Sequence, residues 1–323
     1  MTKKNILITG SSGEIGENLI KRFSQSKNYN IIAIDLNQTS NNKINDFFQG
    51  SIVDDKILND IHSKYDFDEI YHLAAILSTK AEAEPKIAEN INVQGTIKLL
   101  DLAQSQSLKR NKKIKFFFPS SIAVYNLKNK KNKNKLINEI MYCNPYTFYG
   151  KHKLFCENLG TALDHYNHNK NIKLDFRCIR FPGIISKNTI PTGGTSDYAP
   201  EMILAAKKMV PYSCFVSKES KLPFIVMPDA INAIIKLMSS SKNKLTSNVY
   251  NITSFSPTVE DFYKEISLYY KNFNLTYNIN KNRQSIVNSW PGIIDDSKAK
   301  KDWDWKPNYN FKSAFRNYFY KKS

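Results

Sequence analysis

The sequence predicts an α/β protein built on a parallel, doubly wound β-sheet, with a smaller lobe in its C-terminal part. Over residues 1–180, short apolar runs alternate with segments of helical periodicity, which is typical of βαβ units. The first apolar run leads directly into a glycine-rich loop at Gly10, and the alternation ends after Phe181. A chain of 323 residues is long enough for such a body and a second lobe.

Each element is predicted from the spacing of its apolar residues. A short apolar run indicates a buried parallel strand, whereas apolar side chains three or four positions apart indicate a helix. The predicted strands are residues 5–9, 29–35, 68–74, 115–118, 174–180 and 249–252. The predicted helices are residues 14–26, 85–105, 144–168, 201–209, 228–238 and 258–270, the last of them capped by Thr258.

A nucleotide-binding loop is predicted between the first strand and the first helix. Gly10, Gly13 and Gly16 have the spacing G-x-x-G-x-x-G, at a position that suits a pyrophosphate on a helix N-terminus. Asp35 ends the second predicted strand roughly 20 residues further on, where a carboxylate would bind ribose hydroxyls and repel a 2′-phosphate. The pattern favours NAD over NADP, although turn glycines beside a solvated aspartate would give the same spacing.

The change of pattern after Phe181 marks the predicted domain boundary. Residues 1–180 are predicted to form a Rossmann-like NAD-binding domain, which also takes in about residues 225–252. Residues 181–224 and 253–323 are predicted to form a substrate-binding lobe. Glycine and proline interrupt the start of this lobe, at Pro182-Gly183, Pro191 and Gly193-Gly194.

Tyr149 and Lys153 are the candidate catalytic pair, since residues four apart share one face of a helix. A free tyrosine has a pKa near ~10, too high for a base at neutral pH, and a nearby ammonium is expected to lower it. Ser121 could align a substrate hydroxyl beside the phenol. Tyr-x-x-x-Lys arises by chance in a lysine-rich chain. Joined to Ser121 and the glycine loop, however, the pair indicates hydride transfer at a carbon–oxygen bond.

Composition bears on the partners and the cellular location of the protein. The net charge of +18 comes from lysines, which are interspersed with asparagines, as in the predicted exposed loop at 126–135. Because no nucleic-acid-binding motif accompanies these lysines, we expect no nucleic-acid partner. No apolar run approaches the roughly 18 residues of a membrane helix. Four cysteines without C-x-x-C spacing indicate reduced thiols and no metal site. No leader precedes the first strand, so we expect a cytoplasmic location, or the mitochondrial matrix if a transit peptide has been removed.

Several motifs resemble the extended short-chain dehydrogenase/reductase superfamily. They are the glycine loop, His72-Leu73-Ala74-Ala75, Asn92-Val93-Gln94-Gly95-Thr96 and the segments that carry Ser121 and Tyr149. The second half is more specific, because residues 177–186, 193–199, 289–291 and 295–297 closely resemble the short-chain-type L-threonine 3-dehydrogenases. This resemblance implies NAD-dependent oxidation of L-threonine at its β-carbon to 2-amino-3-oxobutyrate, a step of threonine catabolism.

The resemblance also implies a role for individual residues. Tyr149 would act as the base, with Lys153 and Ser121, and the helix at 85–105 would join the Tyr149 helix in a homodimer interface. The residues implied to contact the cofactor are Gly10, Gly13, Glu14, Ile15, Gly16, Asp35, Ser51, Ile52, Leu73, Ala74, Ala75, Asn92, Tyr149, Lys153 and Pro182. Those implied to contact the amino acid are Ser78, Ser121, Tyr149, Thr195, Ser196 and Asp197, the last through the ammonium group.

Two other functions stay open at this point. A sugar-nucleotide epimerase or dehydratase of the same superfamily would need a longer groove and basic groups for a second diphosphate, whereas the short segment before Tyr198 favours a small zwitterion. An NAD-sensing binding protein is the second alternative, but such proteins often lack the tyrosine or the lysine. His72 is expected to pack or hydrogen-bond at a strand end and not to act as a catalyst.

Overall fold

The computed structural model describes residues 3–38, 43–127, 135–166, 172–187, 191 and 194–320. Most of the predicted exposed loop at 126–135 lies outside these residues, and so does Gly193. The strands are β1 Lys4–Thr9, β2 Tyr29–Asp35, β3 Asp46–Gln49, β4 Glu69–His72, β5 Ile114–Ser121, β6 Leu174–Phe181, β7 Gly183–Ile185, β8 Tyr212–Cys214, β9 Phe224–Val226, β10 Val249–Asn251 and β11 Leu275–Tyr277.

The helices begin and end close to the predicted positions in most cases. They are α1 Glu14–Phe23, α2 Asp55–Lys64, α3 Ser78–Ala83, α4 Pro85–Glu89, α5 Gly95–Arg110, α6 Phe148–Tyr166, α7 Tyr198–Lys207, α8 Met227–Ser239, α9 Val259–Ser267, α10 Lys281–Ser289, α11 Ser297–Trp303 and α12 Phe311–Ser313. Thr258 caps α9 as predicted: its side chain accepts a hydrogen bond from Asp261 N at 3.1 Å.

Seven strands form one sheet in the order β10-β6-β5-β4-β1-β2-β3. β1 lies between β2 and β4 and runs parallel to both, and β3 and β5 continue the parallel pairing on either side. Side chains from both faces are buried along β1, including Ile6, Leu7 and Ile8. A parallel sheet covered on both faces by helices is the predicted Rossmann-like α/β fold, which is confirmed.

The long helix predicted at 85–105 is interrupted by one π-helical turn. α4 continues into this turn at Asn90–Gln94, and the turn continues into α5. A π-helical turn frees backbone carbonyls from their usual helical partners, and such turns are frequent at functional sites. The sequence analysis also missed several elements, namely β3, α2, α3, β7, β8, β9, β11, α10 and α12.

The chain divides into two compact units, each made of separated segments. The first unit comprises residues 1–120, 152–179 and 234–249, and its core fills the space around the sheet with Leu7, Ile32, Ile70, Phe116 and Phe176. The second unit comprises residues 121–151, 180–233 and 250–323.

In the second unit, β7 pairs with β9 and β8 pairs with β11, both in parallel. Tyr198, Phe224, Phe262 and Phe311 pack there as edge-to-face rings, with Phe224 and Phe262 centroids 5.2 Å apart. Within the described ranges, no helix is both long and apolar enough to cross a bilayer. No group of three or more potential metal-ligating side chains was found among these residues, and none of the four cysteines forms a disulfide.

Candidate active site

The glycine loop lies between β1 and α1, as predicted, and its three glycines stand in different surroundings. Gly10 has a φ of +68°, and a Cβ there would lie 2.6 Å from Ala74 N. A Cβ on Gly16 would lie 2.7 Å from Ser11 O. At Gly13, the N-cap of α1, the nearest atom to an added Cβ is Gly10 O at 3.3 Å. The loop therefore packs too closely for side chains at Gly10 and Gly16, while the position before the helix N-terminus stays open enough for a pyrophosphate.

Asp35 ends β2 beside the glycine loop. Its carboxylate accepts hydrogen bonds from Ser12 N and Asn37 N, both at 3.0 Å, and Ser12 Oγ donates to Asn37 O at 2.9 Å. These bonds fix the carboxylate at the strand end, where an adenosine ribose is expected. Its contact with the ribose stays a prediction.

A buried histidine joins β1, β4 and α5. His72 lies between Thr9 Oγ1, 2.9 Å from Nδ1, and Thr96 Oγ1, 2.8 Å from Nε2. Burial, together with the charge of Lys153, lowers the pKa of His72 to about 3, so the ring is neutral. Thr96 Oγ1 donates its one hydrogen to Asn92 O at 2.6 Å, so Nε2 must carry the imidazole hydrogen and Nδ1 must accept from Thr9.

The same network orders the segment after β4. Thr9 Oγ1 accepts hydrogen bonds from Leu73 N at 3.1 Å and Ala74 N at 3.2 Å. Asn92, in the π-helical turn, accepts from Ile76 N at 2.7 Å and donates to Ile76 O at 3.0 Å. Residues 73–76 are therefore held at both ends and pass directly over Gly10. The structure thus brings the predicted Leu73–Ala75 segment to the glycine loop.

Two predicted adenine neighbours follow β3. Ser51 Oγ accepts from Val53 N at 3.4 Å, whereas the Ile52 side chain is buried in the core of the first unit. Glu14 and Ile15 open α1. Ser78 is the first residue of α3 and is half-buried.

Lys153 lies deep in the first unit. Its ammonium donates to Pro119 O at 2.7 Å and stands 4.7 Å from the centre of the Phe118 ring. Burial lowers the pKa of Lys153 to about 8. Tyr149 lies one helical turn earlier on α6 and keeps part of its surface exposed.

The pKa of Tyr149 moves against the prediction. We expected Lys153 to lower the pKa of the phenol, but burial raises it, and this expectation was wrong for the protein alone. The physical reason is that desolvation disfavours the phenolate. The ammonium of Lys153, itself desolvated, is directed at Pro119 O and the Phe118 ring.

Ser121 and Tyr149 lie in the same part of the second unit. Ser121 ends β5, and its Oγ accepts from Ala123 N at 3.2 Å at the start of a 3₁₀ turn. α6 begins against this turn, because a Cβ on Gly150 would overlap Ala123 O and lie 2.8 Å from Pro145 Cβ. The residue after Tyr149 therefore contacts the turn that Ser121 caps.

The predicted substrate segment begins α7 in the second unit. Gly194 N donates to Asp197 Oδ2 at 2.7 Å, and Thr195 is buried. A Cβ on Gly183 would lie 3.3 Å from Ser196 Cβ, so Ser196 packs against Gly183. The structure thus places Ser196 beside Gly183, the residue that follows Pro182.

Arg283 also reaches this segment, and the sequence analysis missed it. Its guanidinium donates to Gly194 O from α10. One signal could have identified it: the chain has only six arginines among 47 basic side chains. Where lysine is used almost everywhere, a retained arginine indicates a need for guanidinium geometry.

The chain is similar to known proteins over most of its length. The profile of the NAD dependent epimerase/dehydratase family matches residues 6–253. A mitochondrial L-threonine 3-dehydrogenase of Bos taurus is 31% identical over 314 residues, which cover 95% of this chain and 80% of the bovine protein. An uncharacterized epimerase/dehydratase of Staphylococcus saprophyticus is 34% identical over 95% of this chain and 93% of its own length. A monomeric L-threonine 3-dehydrogenase from a metagenome, solved in its apo form, superposes with a TM-score of 0.83 at 35% identity and covers 95% of both chains.

Proposed function

Because the chain belongs to the NAD-dependent epimerase/dehydratase family, we propose that it is an L-threonine 3-dehydrogenase. The proposed reaction oxidises the β-carbon of L-threonine to 2-amino-3-oxobutyrate. One observation carries the choice of substrate: Gly194 N holds the Asp197 carboxylate at the start of α7, directly after Ser196, which packs against Gly183. A fixed carboxylate offers a counter-charge to the ammonium of a small amino acid.

The cofactor of this family is NAD, and the glycine loop fits it. Gly10 and Gly16 leave no room for side chains, whereas Gly13 leaves the N-terminus of α1 approachable by a pyrophosphate. Gly10, Gly13, Gly16 and Asp35 would hold the adenosine diphosphate part. When bound, NAD supplies the acceptor for the hydride of the β-carbon.

The chain's own residues would handle the proton. Tyr149 would accept the proton of the substrate hydroxyl while Ser121 orients the oxygen, and Lys153 would anchor the cofactor from the same helix as Tyr149. Per turnover, L-threonine and NAD⁺ give 2-amino-3-oxobutyrate, NADH and one proton. Thr195 and Ser196 would contact the amino acid beside Asp197.

The direct test is NADH formation by the purified protein with L-threonine, L-allo-threonine, L-serine or 3-hydroxybutyrate, each with NAD and with NADP. We expect turnover with L-threonine and NAD. The Tyr149→Phe variant should lose about 10²- to 10⁴-fold in kcat while still binding NAD. If the protein forms no NADH with L-threonine but acts on a nucleoside-diphosphate sugar, this proposal is wrong and the epimerase alternative takes its place.

We also propose a homodimer through the face of α6 and the face of the long helix that begins with α4 and continues into α5. Phe148 and Phe155 lie seven residues apart on α6, about two helical turns, and both are about half exposed. Ile87 on α4 is similarly exposed. Exposed apolar side chains at helical spacing are typical of helix–helix interfaces.

A further inference from the structure

Arg283 holds the segment that carries Asp197 from outside that segment. Its Nη2 donates to Gly194 O, and Gly194 N donates to the Asp197 carboxylate at 2.7 Å. The two peptide groups that flank Gly194 are thus each hydrogen-bonded: the guanidinium binds the carbonyl oxygen of Gly194, and the carboxylate binds its amide nitrogen. The Asp197 side chain also fills the space next to Gly194, since an added Cβ there would lie 2.7 Å from Asp197 Oδ1.

The guanidinium is itself fixed in place. It stacks on Phe215, with the guanidinium carbon 3.2 Å from the ring centre. The first turn of α10 is held by its N-cap Asn280, whose side chain accepts from Arg283 N at 3.1 Å and whose own N donates to Phe215 O at 2.9 Å. Arg283 therefore reaches Gly194 from a rigid base.

Two carboxylates act on the Arg283 guanidinium. Asp197 and Glu201 both attract it electrostatically, and Glu201 accepts from Tyr212 OH at 2.6 Å. Burial raises the pKa of the Glu201 carboxyl. The Asp197 carboxylate, which Gly194 N holds in place, complements a ligand that carries an ammonium.

We propose that Arg283 is a positioning residue: by holding Gly194 O it orders residues 194–197 and sets the preference for a substrate that carries an α-ammonium group. This proposal deepens, and rests on, the proposed threonine dehydrogenase activity. Lysine can replace the arginine only in part, because an ammonium can donate to Gly194 O but lacks the planar face that stacks on Phe215.

The test compares Arg283→Met and Arg283→Lys with Arg316→Met, which changes an exposed arginine of the same unit. For Arg283→Met we expect a KM for L-threonine raised about 10- to 100-fold, with kcat changed less than about threefold and NAD affinity unchanged. Arg283→Lys should recover only part of this loss, and Arg316→Met should match the wild type. A fall in kcat with an unchanged KM, as a merely structural role would give, overturns the proposal.

Amide hydrogen exchange tests whether Arg283 orders residues 194–197, and this measurement does not depend on catalytic activity. Amides of residues 194–198 should exchange faster in Arg283→Met, and in Arg283→Lys if the methionine variant does not fold, but not in Arg316→Met. Unchanged exchange in the Arg283 variants overturns the proposal. If the wild-type protein does not oxidise L-threonine, the proposed function and the proposed substrate preference are both wrong. The exchange data still show in that case whether Arg283 orders residues 194–197.

Discussion

Serine substitutions at Gly13 and Gly16 separate folding from cofactor binding within one loop. At Gly16 the new Cβ would lie 2.7 Å from Ser11 O and 2.8 Å from Ser11 Cα, both backbone atoms that can move only with the loop. Forcing a side chain into such a site costs about 1–3 kcal/mol. We therefore expect Gly16→Ser to lower the free energy of unfolding by this amount in the absence of NAD.

Gly13→Ser adds the same side chain three residues earlier with the opposite result. Gly13 has φ −76° and ψ 161°, the extended conformation that an N-cap serine adopts. A serine there stabilises a helix by about 0.3 kcal/mol relative to glycine, which offsets the 3.3 Å contact of its Cβ with Gly10 O. Its side chain would, however, occupy the approach to the helix N-terminus. A displacement cost of about 1–3 kcal/mol weakens NAD binding about 5- to 150-fold.

The assays are urea unfolding of the apo proteins and titration with NAD. The expected pattern is reduced stability in Gly16→Ser, and unreduced stability with weakened NAD binding in Gly13→Ser. Equal destabilisation of the two variants would show that the packing argument is incorrect. Wild-type NAD affinity in Gly13→Ser would place the pyrophosphate away from this helix.

Three further predictions concern Lys153, His72 and the faces of α4 and α6. Burial lowers the pKa of Lys153 to about 8, so between about pH 8 and 10.4 the unfolded chain binds one more proton than the folded protein. In that range the free energy of unfolding of the wild type should rise with pH by up to about 1.4 kcal/mol per pH unit relative to Lys153→Met. Urea titrations at stepped pH should show this difference in slope, and no difference below pH 8. His72 should stay neutral with its hydrogen on Nε2 from about pH 5 to 8, and a titrating ring or an Nδ1–H signal in nitrogen-edited NMR would contradict the network. The double variant Phe155→Glu/Ile87→Glu should be a monomer in analytical ultracentrifugation, whereas the wild type should be a dimer, and turnover should be retained. A monomeric wild type would refute the proposed interface.

The sheet was predictable because each of its main strands carries a local signal. β1 and β2 are continuous apolar runs, and the glycines that follow β1 mark the turn into α1. Thr258 with Asp261 three residues later is a capping box that can be identified directly in the sequence. α2 offered similar signals, with Asp54 as its N-cap and Leu58 and Ile61 on its buried face, and was missed.

The remaining features depend on contacts between distant residues. β8 and β11 are three residues each and pair across about 60 positions, so neither has a pattern of its own. The π-helical turn at Asn92 is stabilised by two hydrogen bonds with Ile76, one accepted and one donated by the Asn92 side chain, and by a third that Thr96 donates to Asn92 O. Burial sets the direction in which the pKa of Tyr149 moves, and a sequence spacing of four from Lys153 does not determine how deeply the phenol is buried.

The segmented make-up of the two units has a consequence for how the protein is made. The first unit needs residues 234–249, so it cannot be completed until three quarters of the chain has left the ribosome, and the second needs the C-terminal segment. The strand that must wait is β6, because its outer neighbour in the sheet is β10, so the edge of β6 stays unpaired while the intervening chain is made. We expect nascent chains to depend on chaperones that shield such edges, and truncation near residue 180 to yield an aggregating fragment instead of an isolated nucleotide-binding domain.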